Sequence, residues 1–595
     1  MKLIPFSLKC LLGLLIATGL GQVAQCQTAT WNNTGTGAWQ EPTNWTWSGA
    51  TPYPSLPTTT TPVLLNNGGT ITVQDTSQSA AAFSINSGTL EVTKASSGGM
   101  LTVTGTFYIA DAAGSTGSVL LDGAGSVINK TTSGQTMIAA RGNGSLTVSN
   151  GGKFTTTITT HVGRYAGSNG LLNVKSGGEM AVGTLLMGYQ GAATVLVENG
   201  GLVKTAGAYV AGYGQDLNRN AGTANVTVTG TGSKWTATSF YVGHSGVGSL
   251  VVNDSGVVEN SSTAYIGFYN GAEGASPAPI YGTGTATIET GGAWRSTGAL
   301  SIGTGGSTGT LNVATAGLMQ VGAAGAGTIT LGAGGAVNIG ADPLLADAVP
   351  AAPGIISAAT LTSTAAGRAL TLFHSDVSGG YYLTKTGAAA GAHVALAGGL
   401  ALNALAGTTT LVAGNTFTGG SSIGGYTGTE ARLIINHEGA LGSGPVVVKN
   451  NGVLEVAGSL APITLQGLTL EAGSALAFDA HPSGGSSDLV FTLENNLSLV
   501  AGETEKITIH VGNAAAITDP ELYDWAFLEV GGDITGDVAS LFEVVSDLPG
   551  MYVFQRDGFL VLGAAVIPEP GRAVLLLAGF MGLGLRRRSA RVPWH

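Results

Sequence analysis

The chain has 595 residues, of which 97 are glycine, 10% are charged and 6% are aromatic, and its formal net charge is −11. It is too apolar to remain disordered, and its glycines keep no third-residue period of the kind collagen requires. Glycine punctuating runs of Val, Ile and Thr predicts an all-β protein with a turn every few residues.

Lys2 and Lys9 flank the start of an apolar run from Cys10 to Leu20, and Ala24-Gln25-Cys26 places small residues at −3 and −1 of a cleavage between Cys26 and Gln27. This is the layout of a secretory signal peptide, residues 1–26. The run is well short of the ~20 residues that span a bilayer. Val23-Ala24-Gln25-Cys26 also resembles a lipoprotein box, in which Cys26 would be lipidated, although Gln25 is large for its position. Cys10 and Cys26 are the only cysteines, so the mature chain is expected to hold neither disulfides nor cysteine-based zinc sites. Residues 27–60 are rich in tryptophan: Trp31, Trp39, Trp45 and Trp47. Such rings can stack on sugars, but they are read here as a cap over the open apolar end of a repeat stack.

A nine-residue unit then recurs between residues 61 and 340. It consists of a small residue, an alternating strand and a polar Gly turn, as in Gly117-Ser-Val-Leu-Leu-Asp-Gly-Ala-Gly125 and Gly144-Ser-Leu-Thr-Val-Ser-Asn-Gly-Gly152. Further copies begin at Gly170, Ala193, Ala224, Gly248, Gly284, Gly309 and Gly327, at spacings of 18 to 36 residues. Between them a β-branched or Met residue precedes Gly or Ala at Ile109, Ile138, Val162, Met187, Val210, Val242, Ile266 and Ile302. Two strands per repeat of about 25 residues predict a right-handed parallel β-solenoid, a β-helix, with Leu146 and Val148 inward and Thr147 outward. The alternative, a β-sandwich array, needs a longer period.

Residues 341–380 read as a linker or irregular coils. Between 381 and 480 the pattern changes to Leu383-Thr-Lys-Thr-Gly387, Gly414-Asn-Thr-Phe-Thr-Gly-Gly-Ser-Ser-Ile423 and Gly439-Ala-Leu-Gly-Ser-Gly444. This segment resembles the autotransporter-associated β-strand repeat of bacterial passenger domains. The Trp31-Asn-Asn-Thr34 to Trp45 segment is similar to the opening of the same surface proteins. Residues 481–566 read as a small C-terminal β module with an acidic turn at Asp519-Pro-Glu-Leu-Tyr-Asp524.

The last segment, 567–595, has three parts in order: Pro568-Glu569-Pro570, an apolar run from Ala573 to Leu585, and Arg586-Arg587-Arg588. Flanking prolines hold Glu569 in an extended backbone suited to a protease. The apolar run is expected to enter the membrane as a terminal helix, with the arginines stopping transfer on the cytoplasmic side. The tail resembles the PEP-CTERM sorting signal of Gram-negative-type bacteria. That resemblance implies an exosortase as processing partner, following signal peptidase at the other end, and places the protein in the envelope, on the outer surface or in extracellular matrix. Removing both ends takes away seven cations and one carboxylate, leaving about −17 and no basic patch for nucleic acid.

Catalytic patterns are absent from the sequence. The eight histidines are scattered, there is no His-Glu-x-x-His, and Gly243-His244-Ser245-Gly246 misses a nucleophile elbow because Val247 follows. No catalytic residue, metal site or cofactor is expected. A β-helix polysaccharide lyase or hydrolase would cluster charges on one face, and the candidates Asp122, Arg141, Lys153, Arg164, Lys175, Glu179 and Glu198 are isolated along the sequence, although Arg141 with Arg164, and Lys175 with Glu198, fall one repeat apart. Asp533 and Asp537 are candidate calcium ligands in an acidic turn. Thr155-Thr-Thr157 and Thr227-Val-Thr229 suggest an ice-binding row, which variable repeat lengths would disrupt. The expectation is therefore a non-catalytic surface or matrix protein engaged in adhesion or contact with extracellular polysaccharide.

Overall fold

The computed structural model describes residues 27–49, 53–131, 133–212, 222–269, 281–457, 462–479, 489–502, 505–513 and 524–564. They fall in two compact units, one running to Asn403 with Thr416–Gly419, the other comprising Ala404–Asn415 and the chain from Gly420 onward. Cys26, Pro568, Glu569, Pro570, Ala573, Leu585 and Arg586 to Arg588 lie outside the described residues, as does the whole segment read as a terminal helix.

In the first unit the chain winds through parallel ladders, and each coil has three strands where the sequence predicts two. The first side stacks the nine-residue units, Thr116–Asp122, Asn143–Ser149, Asn169–Lys175 and Ala192–Glu198, in parallel. The second side stacks Val127–Lys130 on Lys153–Thr156, and the third Thr136–Ile138 on Thr159–Val162. In Glu179–Met187 the second and third sides merge into one strand that pairs with both strands of the preceding coil.

Gly117, Gly144, Gly170, Ala193, Ala224, Gly248, Gly284 and Gly309 form one column on the first side. The column continues at Gly335 and not at Gly327. Thr328–Leu331 instead extends the third side beside Leu300–Thr304, because a four-residue alternation looks the same on any side of a coil. Ile109, Ile138, Val162, Met187, Val210, Val242, Ile266 and Ile302 form a column on the third side.

Alternation fills the interior. Leu146, Val148, Ile128, Phe154 and Val162 are fully buried, while Thr147 is half-buried and faces out. Each such apolar side chain contributes about 1.5–3 kcal/mol. At the corner after the first side, Asn199 and Gly200 both have positive φ, 51° and 83°, a turn that Asn and Gly tolerate. The next glycine is required for a different reason: a Cβ on Gly201 would lie 2.0 Å from the carbonyl oxygen of Val174 in the preceding coil. Close coil stacking at this corner therefore excludes a side chain, which accounts for part of the glycine content.

At the start of the unit Thr28–Trp31 pairs antiparallel with Trp45–Ser48. Trp31, Trp39 and Trp45 are buried, the first and second each with its ring 5.0 Å from that of Trp45. From Trp39 a line of rings runs through Phe83, Phe107 and Phe154 at 5.9, 5.9 and 6.3 Å. Those three indoles close apolar surface and have no face free for a sugar; Trp47 instead stacks on Tyr53.

In the second unit, Ala431–Ile435, Gly452–Val456, Ala475–Asp479, Ile507–Gly512 and Phe542–Ser546 form one parallel ladder. Parallel pairing thus persists beyond His481, where the sequence repeat fades. The chain then turns antiparallel, with Phe559–Ala564 between Asp524–Val530 and Met551–Arg556. Asn415, in the Asn-Thr-Phe-Thr-Gly-Gly motif, donates to the carbonyl of Ala440 at 2.7 Å, tying its turn to the next one.

Candidate functional site

The second side of the first unit carries a groove of about 1100 Å³. Its outward-facing column runs Thr102, Asn129, Thr155, Ala181, Lys204, Thr236, Glu259, Arg295 and Gln320, each in register with the next. The floor is the next position along each strand, including Lys130, Thr156, Thr205 and Asn260, and the far wall includes Thr131, Thr157, Thr238, Ser261 and Thr297. From the coil of Asn129 to that of Gln320 the groove spans seven coil steps, about 33 Å at ~4.7 Å per step.

The step from the second side to the third builds this concavity. The second side ends at the floor position, and small residues carry the chain into the third side. Gly183 is one of these, since its Cβ would meet the Thr157 carbonyl oxygen at 2.1 Å. The floor is satisfied internally: the Trp294 indole donates to Asn260 Oδ1 at 2.8 Å, and Asn260 Nδ2 donates to Ser296 Oγ at 2.8 Å. Lys130 is fully buried and donates to the Ser133 carbonyl at 2.5 Å; burial lowers its pKa.

Both carboxylates of this side are ion-paired. Glu179 lies 2.6 Å from Lys204 and 3.5 Å from Lys153, and Glu259 lies 2.8 Å from Lys234. The Lys204 hydrogen bond, with the charges of both lysines, holds Glu179 below the usual carboxylate range against a smaller opposing effect of burial. Glu179, held ionised by its two lysines, is not placed to act as a general acid at neutral pH.

Other residues singled out by sequence are structural. Arg141 and Arg164 do come together, 4.6 and 5.3 Å from the Tyr165 ring, with Arg164 also 4.0 Å over Tyr189 and Arg141 paired to Asp111 at 2.8 Å. Lys175 and Glu198 are register partners on the first side. Asp122 accepts from Ser149 and Asn150, and Asp537 caps a four-residue helix by accepting from the Ala539 amide. His244 is buried against Tyr209, Tyr241 and Phe268, and burial lowers its pKa to about 4. Tyr209, Tyr241 and Tyr265 stack face to face at 4.5 and 4.9 Å, so both faces of the central Tyr241 are covered. Thr155 and Thr157 both line the groove, but Thr155 stands in a column broken by Ala181, Lys204, Glu259 and Arg295, and Thr157 in the far wall. Thr227 lies in register with Leu196 and Val251, so no threonine row continues there.

Lys130, Lys204, Thr236, Glu259 and Arg295 escape sequence reading. The signal available was their position one or two residues after the core column Ile128, Val203, Trp235, Val258 and Trp294, which defines the second side. Among the described residues no cluster of His, Cys, Asp or Glu is arranged to hold a metal, and no helix is long and apolar enough to cross a membrane. No protein-family model and no curated protein matches the chain.

Proposed function

We propose that this is an exported, non-catalytic surface or extracellular-matrix protein that holds polysaccharide along the second-side groove. The carrying observation is a groove running along seven coil steps, lined with hydroxyls or amides at every coil but that of Ala181–Gly183 and with its carboxylates neutralised by lysines. Its coils are right-handed, as parallel crossover connections almost always are. Signal peptidase releases the chain between Cys26 and Gln27. At the other end exosortase reads Pro568-Glu569-Pro570, while Ala573 to Leu585 enters the membrane as a helix and Arg586, Arg587 and Arg588 fix its orientation. The passenger-like repeats between residues 381 and 480 belong to the same surface role.

Retention of the purified protein on insoluble plant and bacterial polysaccharides tests the binding half. Retention on at least one is expected, and retention on none sinks the reading. For the sorting half, replacing Pro568, Glu569 and Pro570 with alanine in an exosortase-bearing host should leave the protein exported, unprocessed and membrane-bound. Processing like the parent makes the tail an ordinary anchor.

A further inference from the structure

We infer that the groove takes an acidic linear polysaccharide, a uronate-type polymer with regularly spaced carboxylates, in preference to a neutral one. This rests on the polysaccharide reading of the groove. The chain is acidic overall, at −11, yet the second side from Lys130 to Arg295 reverses that sign. It carries five cations, Lys130, Lys153, Lys204, Lys234 and Arg295, against the two carboxylates Glu179 and Glu259.

The surplus charge is spread along the side. Lys234 and Glu259 cancel, leaving three positive points: Lys130, the Lys153–Glu179–Lys204 triad and Arg295. Glu179, the centre of the triad, lies two coils after Lys130 and four before Arg295, so the three points span ~28 Å of the groove. The coil rise of ~4.7 Å is close to the length of one pyranose unit in a linear chain, so each coil meets about one sugar. Between the charged points the walls carry Thr155 and Thr157, then Thr236, Thr238 and Ser261, donors and acceptors for sugar hydroxyls. Lys130, folded onto the Ser133 carbonyl, acts through its field rather than by contact; Lys204 and Arg295 reach the groove directly.

Single-stranded nucleic acid is the competing polyanion. Proteins that bind it present aromatic rings on which bases stack, and among the described residues no aromatic side chain lines the groove.

The full-length protein is run by affinity electrophoresis in gels containing polygalacturonate, its fully methyl-esterified form, or a neutral β-glucan. The Lys204→Gln/Arg295→Gln double variant is compared with Lys94→Gln/Lys175→Gln, which removes as many cations away from the groove. Binding to polygalacturonate at least tenfold tighter than to the ester is expected, with a tenfold or greater loss in the groove variant only. Equal affinity for acid and ester overturns the charge preference and leaves polysaccharide binding in place. No retardation by any of the three polymers overturns polysaccharide binding itself. Losses that are equal in both variants, or competition by oligo-dT as effective as that by polygalacturonate, overturn the inference in favour of general anion attraction.

Discussion

His161 stands where a histidine has no electrostatic support. It is 2% exposed, both ring nitrogens are buried without a partner, and its neighbours in register are Met137 and Leu186. Burial, reinforced by the Arg164 charge, lowers its pKa to about 3. In the unfolded chain the imidazole gains a proton below about 6.5, whereas the folded protein keeps it neutral until about 3. The unfolded state therefore binds more protons in this window. Stability is complete above about 6.5 and is lost as pH falls toward 3. At pH 4 the span below 6.5, at ~1.36 kcal/mol per pH unit, comes to about 3 kcal/mol. His161→Leu extends the Met137–Leu186 column and removes the titration. Urea unfolding of both proteins from pH 7.5 to pH 4, followed by tryptophan fluorescence, isolates this group, because His244 and His374 cancel in the difference. The variant is expected to be more stable at pH 7, and its advantage to widen by about 3 kcal/mol at pH 4. An advantage independent of pH would mean that His161 ionises normally in the folded protein, and the packing described for it would be wrong.

Adjacent glycines should separate two kinds of constraint. Gly177 has a φ of 74° and open space around it, so Gly177→Ala should cost about 1 kcal/mol in denaturant unfolding. At Gly178 an added Cβ meets the Val148 carbonyl oxygen at 2.3 Å, so Gly178→Ala should cost at least ~2 kcal/mol. Asn260→Ala leaves the Trp294 indole N–H without its acceptor and should destabilise by about 1–3 kcal/mol by the same measurement. Lys130→Met should be at least as stable as the parent at pH 7, since it removes a buried charge. That advantage should shrink as pH rises through 10.5, above which the parent's lysine is neutral in both states. Incubation with polygalacturonate should release no unsaturated or reducing sugar, and product accumulation would make the groove a lyase or hydrolase site.

The sequence carried the ladders that have a strong signature. The column from Gly117 to Gly309 and the column from Ile109 to Ile302 were legible because each couples a fixed apolar alternation to a small residue, Gly or Ala, at a fixed place. The second side was hidden for the opposite reason. Its strands are either four residues long and end on a polar floor residue, as in Val127–Lys130 and Val257–Asn260, or run on into the third side, as in Glu179–Met187, and both blur the alternation. The groove lies on that side, so its residues were scattered single charges until the register aligned them. Gly327 was misplaced because Thr-Ile-Thr-Leu fits the first and third sides equally. Arg141 and Arg164 were rightly paired by spacing, but the aromatic ring between them belongs to a corner that periodicity does not describe.

Hydrogen–deuterium exchange of the full-length protein, with and without polygalacturonate, bears most directly on the groove as the binding site. Protection is expected in peptides covering Asn129–Thr131, Thr155–Thr157, Lys204–Ala206 and Thr236–Thr238, with first-side peptides such as Thr116–Asp122 unchanged. Protection confined to the first or third side, or none at saturating polymer, would contradict it.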